Sequence, residues 1–205
     1  MGAGDRRLSI AERKGRHRAE RESRIVAAAR AIAERDGWDA VTVRRLAGEI
    51  EYSQPVLYSH FQNRDAIVAA VAIEGFQELT AALQEATRGS SGQRGALENA
   101  AKAYLDFALR FPALYEAMFN LPTDLRFADA ETRPELRAGF DALATVVTPF
   151  CVDADVATET FWAALHGLAG LERSGRIRPS ARGERLALLI QAMMASHDNS
   201  PDRSL

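Results

Sequence analysis

The spacing of the apolar residues constrains this chain most: it follows a helical period almost throughout. Ile25, Ala28, Ala29, Ile32 and Ala33 recur at i, i+3, i+4, i+7 and i+8, one face of an amphipathic helix. No run alternates with period two over a useful length, and no strand–helix–strand pattern appears. Gly37 follows the first helix where a left-handed residue is tolerated. Thr42 stands as an N-cap before a short segment, 43–50, and Ser53 before another that opens Gln54-Pro55. Asn63 caps a fourth helix beginning Arg64-Asp65, with an acid where the helix dipole favours one. Four helices are thus expected over about 22–88, and the Gly/Ser-rich stretch 88–95 reads as a loop and boundary. Further helices are expected at about 95–111, 112–120, 133–148, 154–174 and 181–197, with prolines 112, 122, 134, 149 and 179 at or near the breaks. The expected fold is all-α, with roughly nine helices.

Bulk properties set the class. Of 205 residues, 47% are apolar and 26% charged, as in a soluble globular protein and not a disordered one. No apolar run approaches the roughly 18–20 residues of a membrane span, so no membrane partner is expected. The N-terminus lacks the apolar stretch of a secretory signal. A single cysteine, Cys151, rules out an internal disulfide and suits a reducing cytoplasm, the expected location. Net charge is only −2, but residues 1–65 hold 13 Lys+Arg against 10 Asp+Glu, and residues 66–205 hold 13 against 18. In the first 24 residues the count is 8 basic to 4 acidic. Such asymmetry would orient a protein on a polyanion; a merely solvated tail reads equally well. Residues 1–21 are therefore expected to be a basic, disordered arm, and 198–205 a flexible tail.

The stretch 42–61 has the length and rhythm of a helix-turn-helix. Leu46, Ala47 and Ile50 would bury one face of its first helix, and Leu57 and Phe61 one face of the second. Gln54, Pro55, Val56, Tyr58 and Ser59 then occupy the remaining face, as a helix entering the major groove requires. Gln54 can bond adenine bidentately, and Pro55 or Val56 can touch a thymine methyl. Thr42, Tyr58, Ser59 and His60 offer hydrogen bonds to phosphates. The pattern alone does not separate this from a helical bundle that never meets DNA.

The run from Arg24 to Phe76 resembles the N-terminal domain of the tetracycline-repressor (TetR) family. The resemblance rests on Arg24-Ile25, Ala28-Ala29, Ile32, Gly37-Trp38, Val41-Thr42-Val43-Arg44, Leu46-Ala47, Ser53-Gln54-Pro55-Val56-Leu57-Tyr58, His60-Phe61 and Asn63-Arg64-Asp65-Ala66-Ile67. It implies a homodimeric repressor on a palindromic double-stranded operator, with a DNA-binding domain over 22–70 and a ligand-binding and dimerisation domain over 71–197. It also implies DNA contacts at Thr42, Arg44, Gln54, Pro55, Tyr58, His60 and Arg64; adding Ser53, Val56 and Ser59 completes the expected interface. Arg64 stands where the family usually has lysine, and the turn reads Glu51-Tyr52 where it usually begins with glycine. A non-glycine residue in a left-handed turn costs about 1 kcal/mol, and Glu51 beside phosphate should point away.

The second half carries Tyr104, Phe107, Phe111, Tyr115, Met118, Phe119, Phe127, Phe140, Phe150, Phe161 and Trp162, a set that at helical spacing is ordinarily core. Phe161-Trp162-Ala-Ala-Leu-His166-Gly167-Leu168 is similar to the Trp-x3-His-Gly signature of one subclass of the family, and 108–119 resembles it too. This implies a pocket for a partly apolar effector, with Tyr104, Phe107, Phe111, Tyr115, Met118, Phe119, Trp162 and His166 as candidate lining. For Trp162 and His166 the plainer reading is structural, His166 as a hydrogen-bonded core histidine. The wide apolar stripes of 154–174 and 181–197 fit helices packed both inwardly and against a second copy.

Nothing invites catalysis. The histidines at 17, 60, 166 and 197 form no metal-binding pair, no glycine-rich loop joins a strand to a helix, and Cys151 has no histidine near it in sequence. No cofactor, metal or catalytic residue is expected. The other reading kept is a helical adaptor of the same fold that binds protein instead of DNA.

Overall fold

In the computed structural model, which describes residues 9–126 and 132–198, Ser9 opens the first helix with a reciprocal cap. Its Oγ accepts from the Glu12 backbone N–H at 3.2 Å, and the Glu12 carboxylate accepts from the Ser9 N–H at 2.7 Å. That pair satisfies two of the donors a helix start leaves orphaned. Helix α1 (Ile10–Asp36) consequently begins at residue 10, not near 22. The expected disordered arm is corrected: residues 10–21 are helix, with Arg16–Glu20 and Arg18–Glu22 pairs at i,i+4 along it. Residues 1–8 of that arm, 199–205 of the expected tail, and Phe127 lie outside the described residues.

Gly37 (φ 82°) ends α1, and its N–H returns to the Ala33 carbonyl. Thr42 accepts from the Arg45 N–H to start α2 (Val43–Glu49), and α3 (Gln54–His60) follows with Pro55 in its first turn. Asn63 caps α4 (Arg64–Thr87) by accepting from Ala66. The boundary loop is shorter than expected, because α5 (Gly92–Arg110) begins inside it. A bond from Asn99 to the Ser90 hydroxyl and the Arg94–Glu98 pair close that first turn. Then come α6 (Pro112–Phe119), α7 (Pro134–Val147), α8 (Ala154–Arg173) and α9 (Arg182–Asp198), all close to their expected bounds. The described residues contain nine α-helices and no strand.

Helix α4 is the axis, packing against α1, α5, α6 and α7. It is also long and apolar enough to cross a bilayer by length and composition, contrary to the sequence expectation. Half of its apolar window is buried within the protein, as a helix surrounded by four others requires. Gly75 marks its closest approach: a Cβ there would stand 2.7 Å from Met118 Sδ and 2.9 Å from Leu114 Cδ1 of α6. Helix α9 docks through charge, with the nearly buried Glu172 carboxylate meeting Arg185 at 2.9 Å and Arg182 at 3.1 Å.

Candidate nucleic-acid interface and cavity

Helices α2 and α3 meet through Leu46, Ala47 and Leu57, all buried, which leaves a common outer surface. Between them Glu51 adopts φ 56°, the left-handed turn that its position demanded, and its side chain is exposed. Thr42, Arg44, Ser53, Gln54, Pro55, Tyr58 and Ser59 are exposed on that surface. Tyr58 is 54% exposed, a large ring held in water by a rigid helix. Although Ser53 is the N-cap of α3, its hydroxyl caps nothing within the protein, so it stays available. Ser59 donates to the Val56 carbonyl at 2.7 Å and is itself exposed.

Of the remaining expected contact residues, His60 is turned inward, and Arg64 and Val56 are partly buried. His60 keeps only 5% of its side chain exposed, and its Nδ1 lies 3.2 Å from the Glu22 carboxylate of α1. The phosphate contact expected of its side chain is corrected to a strut between α1 and α3. Arg64 donates through Nε to the Val41 carbonyl (2.9 Å) and through Nη2 to the Trp38 carbonyl (2.6 Å). It ties the start of α4 to the segment before α2, with 36% of its side chain still exposed. Val56 is half-buried beside a hollow of about 450 Å³ lined also by His17, Glu20, Arg21, Arg24 and Tyr52. Arg24 closes that hollow by donating to the Tyr52 hydroxyl at 3.1 Å, its guanidinium 5.2 Å from the centre of the ring. The helical extension of α1 therefore lies beside α3 and presents Arg13, Lys14 and Arg21 to solvent, a feature hidden from the sequence by the expectation of disorder.

The unit formed by α1–α3 is bolted to the rest of the molecule at α6. Trp38 Nε1 donates to the Ala113 carbonyl at 2.8 Å in a buried contact. The Glu34 carboxylate accepts the backbone N–H groups of Ala113 and Leu114 at 3.1 and 3.0 Å, where the start of a helix attracts an anion. Arg30 pairs with Glu78 of α4 and lies 5.1 Å from the centre of the Phe111 ring.

A partly open cavity of about 610 Å³ lies among α4, α5, α6, α7 and α8. Of the expected lining residues, Tyr104, Phe119 and Trp162 face it. Tyr115 and His166 stand directly behind: Trp162 Nε1 donates to the Tyr104 hydroxyl (3.0 Å), which lies 2.9 Å from the Tyr115 hydroxyl, itself 2.7 Å from His166 Nδ1. Burial drives the Tyr104 hydroxyl well above the usual phenol range and Tyr115 up to about 12. Burial, then the charge of Arg173, pushes His166 below the ordinary histidine value. All three are neutral near pH 7, as buried groups prefer.

Phe107, Phe111 and Met118 are corrections, since they do not line the cavity. Phe107 and Phe111 stack edge-on at 5.3 Å, and Met118 fills the space beside Gly75. Phe107 and Met118 lie on the core faces of α5 and α6, and Phe111 is the residue that joins those two helices. The lining that sequence reasoning missed comes mainly from α4 (Phe76, Leu79), from Leu136, Arg137 and Asp141 of α7, and from Asp155 and Glu159 of α8. Phe140, one of the aromatic set, was the signal pointing to α7. Among the described residues no cluster of His, Cys, Asp and Glu could hold a metal ion. The Cys151 thiol is raised by burial, with Asp153 adding to it, the opposite of an activated nucleophile.

Residues 25–71 match the family described as bacterial regulatory proteins, tetR family, and residues 97–196 match the tetracyclin repressor-like C-terminal domain. The uncharacterized HTH-type transcriptional regulator Rv0681 of Mycobacterium tuberculosis is 30% identical over 158 residues, covering 76% of this chain and 71% of the relative. Among solved structures, a protein of unknown function from Rhodococcus sp. RHA1 superposes with a TM-score of 0.71 at 27% identity, covering 86% of this chain and 94% of that one. BioQ, solved with its double-stranded DNA operator, gives a TM-score of 0.62 at 24% identity, over 85% of this chain and 98% of BioQ.

Proposed function

The chain belongs to the tetR family of bacterial regulatory proteins, and from that premise we propose that it is a homodimeric repressor released from a palindromic operator by a small, partly apolar effector. Membership makes it a DNA-binding transcriptional regulator and not an enzyme. The observation that carries the rest is the outer face of α3, where Gln54, Pro55 and Tyr58 stand exposed on a helix whose other face is locked by Leu57. Gln54 and Pro55 at its start read base edges, while Thr42, Arg44, Ser53, Tyr58 and Ser59 hold the phosphates. Arg13, Lys14 and Arg21 of the α1 extension add charge beside them.

Helices α8 and α9 form the dimer contact in this reading. Val156, Leu171 and Leu188 are exposed there at 58%, 41% and 66%, and no side chain lies within 4 Å of where a Cβ on Gly167 or Gly170 would stand. The effector enters the cavity beside Trp162 and favours a dimer whose recognition helices no longer match half-sites about 34–36 Å apart. The run Trp162…His166-Gly167 supports the finer subclass assignment.

Footprinting on the intergenic DNA upstream of the protein's own gene, combined with a salt titration of affinity, tests the reading. Protection of a palindrome is expected, with log affinity falling steeply against log salt as counterions are released. Binding indifferent to both palindrome and salt would sink it in favour of a protein-binding adaptor.

A further inference from the structure

We infer that the cavity takes an organic cation, its apolar body against the aromatic inner wall and its positive group at a rim formed by Asp141, Asp155 and Glu159. This rests on reading the cavity as the effector site.

The inner wall leaves little for a polar ligand to bind. Its polar atoms, Trp162 Nε1 and the Tyr104 hydroxyl, are engaged with each other and with the Tyr115–His166 pair behind. What faces inward is ring surface. Phe119 lies 6.0 Å from Trp162 and 5.3 Å from Phe76, centre to centre, so three rings share one end of the space. Ligand specificity beyond shape must come from the charged lining.

That lining is unbalanced. Among the described lining residues, three carboxylates, Asp141, Asp155 and Glu159, stand with one guanidinium, Arg137. All three carboxylates are exposed at the mouth, and among the described residues none makes an ion pair. Asp155 sits in the first turn of α8, where the helix dipole alone accounts for it. The dipole does not account for Glu159, one turn further on the same face, or for Asp141 on α7. A cation is attracted by the carboxylates and, at the inner end, by the negative faces of Trp162 and Phe119. An anion of the same shape meets repulsion at the entrance. The volume, about 610 Å³, is that of a small-molecule site.

Three compounds with one body separate the contributions: phenylbutyl-trimethylammonium, phenylbutanol and phenylbutyrate, each titrated calorimetrically into the full chain, with the summed fluorescence of Trp38 and Trp162 as a second readout. The ammonium compound should bind about tenfold tighter than the alcohol, and the butyrate more weakly than the alcohol. Substituting Asp141→Asn, Asp155→Asn and Glu159→Gln together should abolish the preference, bringing the affinity of the ammonium compound to within a few-fold of that of the alcohol. If that variant does not fold, Glu159→Gln alone, checked by its circular dichroism, should reduce the preference in the same direction. Alcohol binding with no preference for the ammonium compound, or a preference that survives the substitutions, overturns the cation inference and leaves the effector cavity standing. Failure of all three compounds to bind removes the cavity reading and this inference with it.

Discussion

The indole N–H of Trp38 reaches 2.8 Å across to the backbone carbonyl of Ala113, joining the segment before the DNA-facing helices to the first turn of α6. Helix α6 also carries Tyr115, which belongs to the hydrogen-bonded chain behind the cavity. A displacement of that chain would therefore reach, through Ala113, the Trp38 segment that precedes α2.

Replacing Trp38 with Phe keeps an aromatic ring but removes the donor and part of the buried indole, leaving the Ala113 carbonyl with its helical partner alone. The cost should be about 1–3 kcal/mol of stability, read by denaturant unfolding. On the hypothesis that this contact transmits effector binding, operator affinity should stay within a few-fold while release by effector weakens. Full release by the variant would show that the signal travels elsewhere.

Glu51 occupies φ 56° with an exposed side chain. Glu51→Gly should therefore stabilise the fold by up to about 1 kcal/mol, less the entropy that glycine loses on folding, whereas Glu51→Ala should not. Equal melting temperatures for the two variants would mean that the turn is not strained.

Arg64 and Gln54 should behave as opposites. Arg64→Ala removes donors from the Val41 and Trp38 carbonyls, so its main effect is expected in thermal stability, with DNA affinity falling as the domain loosens. Gln54→Ala should leave stability unchanged and relax preference at one base pair, a change of about 1–3 kcal/mol for that pair. An unaltered base preference in the Gln54 variant places the recognition helix in a different register.

His166 has its pKa lowered from the ordinary 6.5 by burial and then by Arg173. The unfolded chain therefore binds the proton more readily than the native one. This contribution to stability is fully present above pH about 6.5 and declines as pH falls from there toward the folded value. Melting temperature measured against pH should fall less steeply below pH about 6.5 in His166→Asn than in the parent chain. Parallel curves would show that the imidazole is not what burial keeps neutral.

Much of the architecture was legible in the residues alone. Periodicity, caps and prolines are local signals, so the interior helices fell close to where Thr42, Asn63, Pro112 and Pro134 had put them. The outward face of α3 was legible for the same reason, because Leu57 and the exposed Tyr58 follow from helical spacing. The N-terminal extension of α1 was misjudged: polar residues all round a helix carry no periodic signal, and what orders them is the Ser9–Glu12 cap and ion pairs.

Which polar side chains are free was decided only in three dimensions. His60 and Arg64 have the chemistry of phosphate ligands, yet Glu22 lies 38 positions from His60, and the Trp38 carbonyl 26 from Arg64. No sequence period encodes pairs so far apart. The cavity is the same case, since Tyr104, Phe119 and Trp162 are joined by Asp141 and Glu159 only because α7 and α8 pack together. Local hydrogen bonding and apolar spacing determined where the helices run; the burial of one helix against another decided which charges still face solvent.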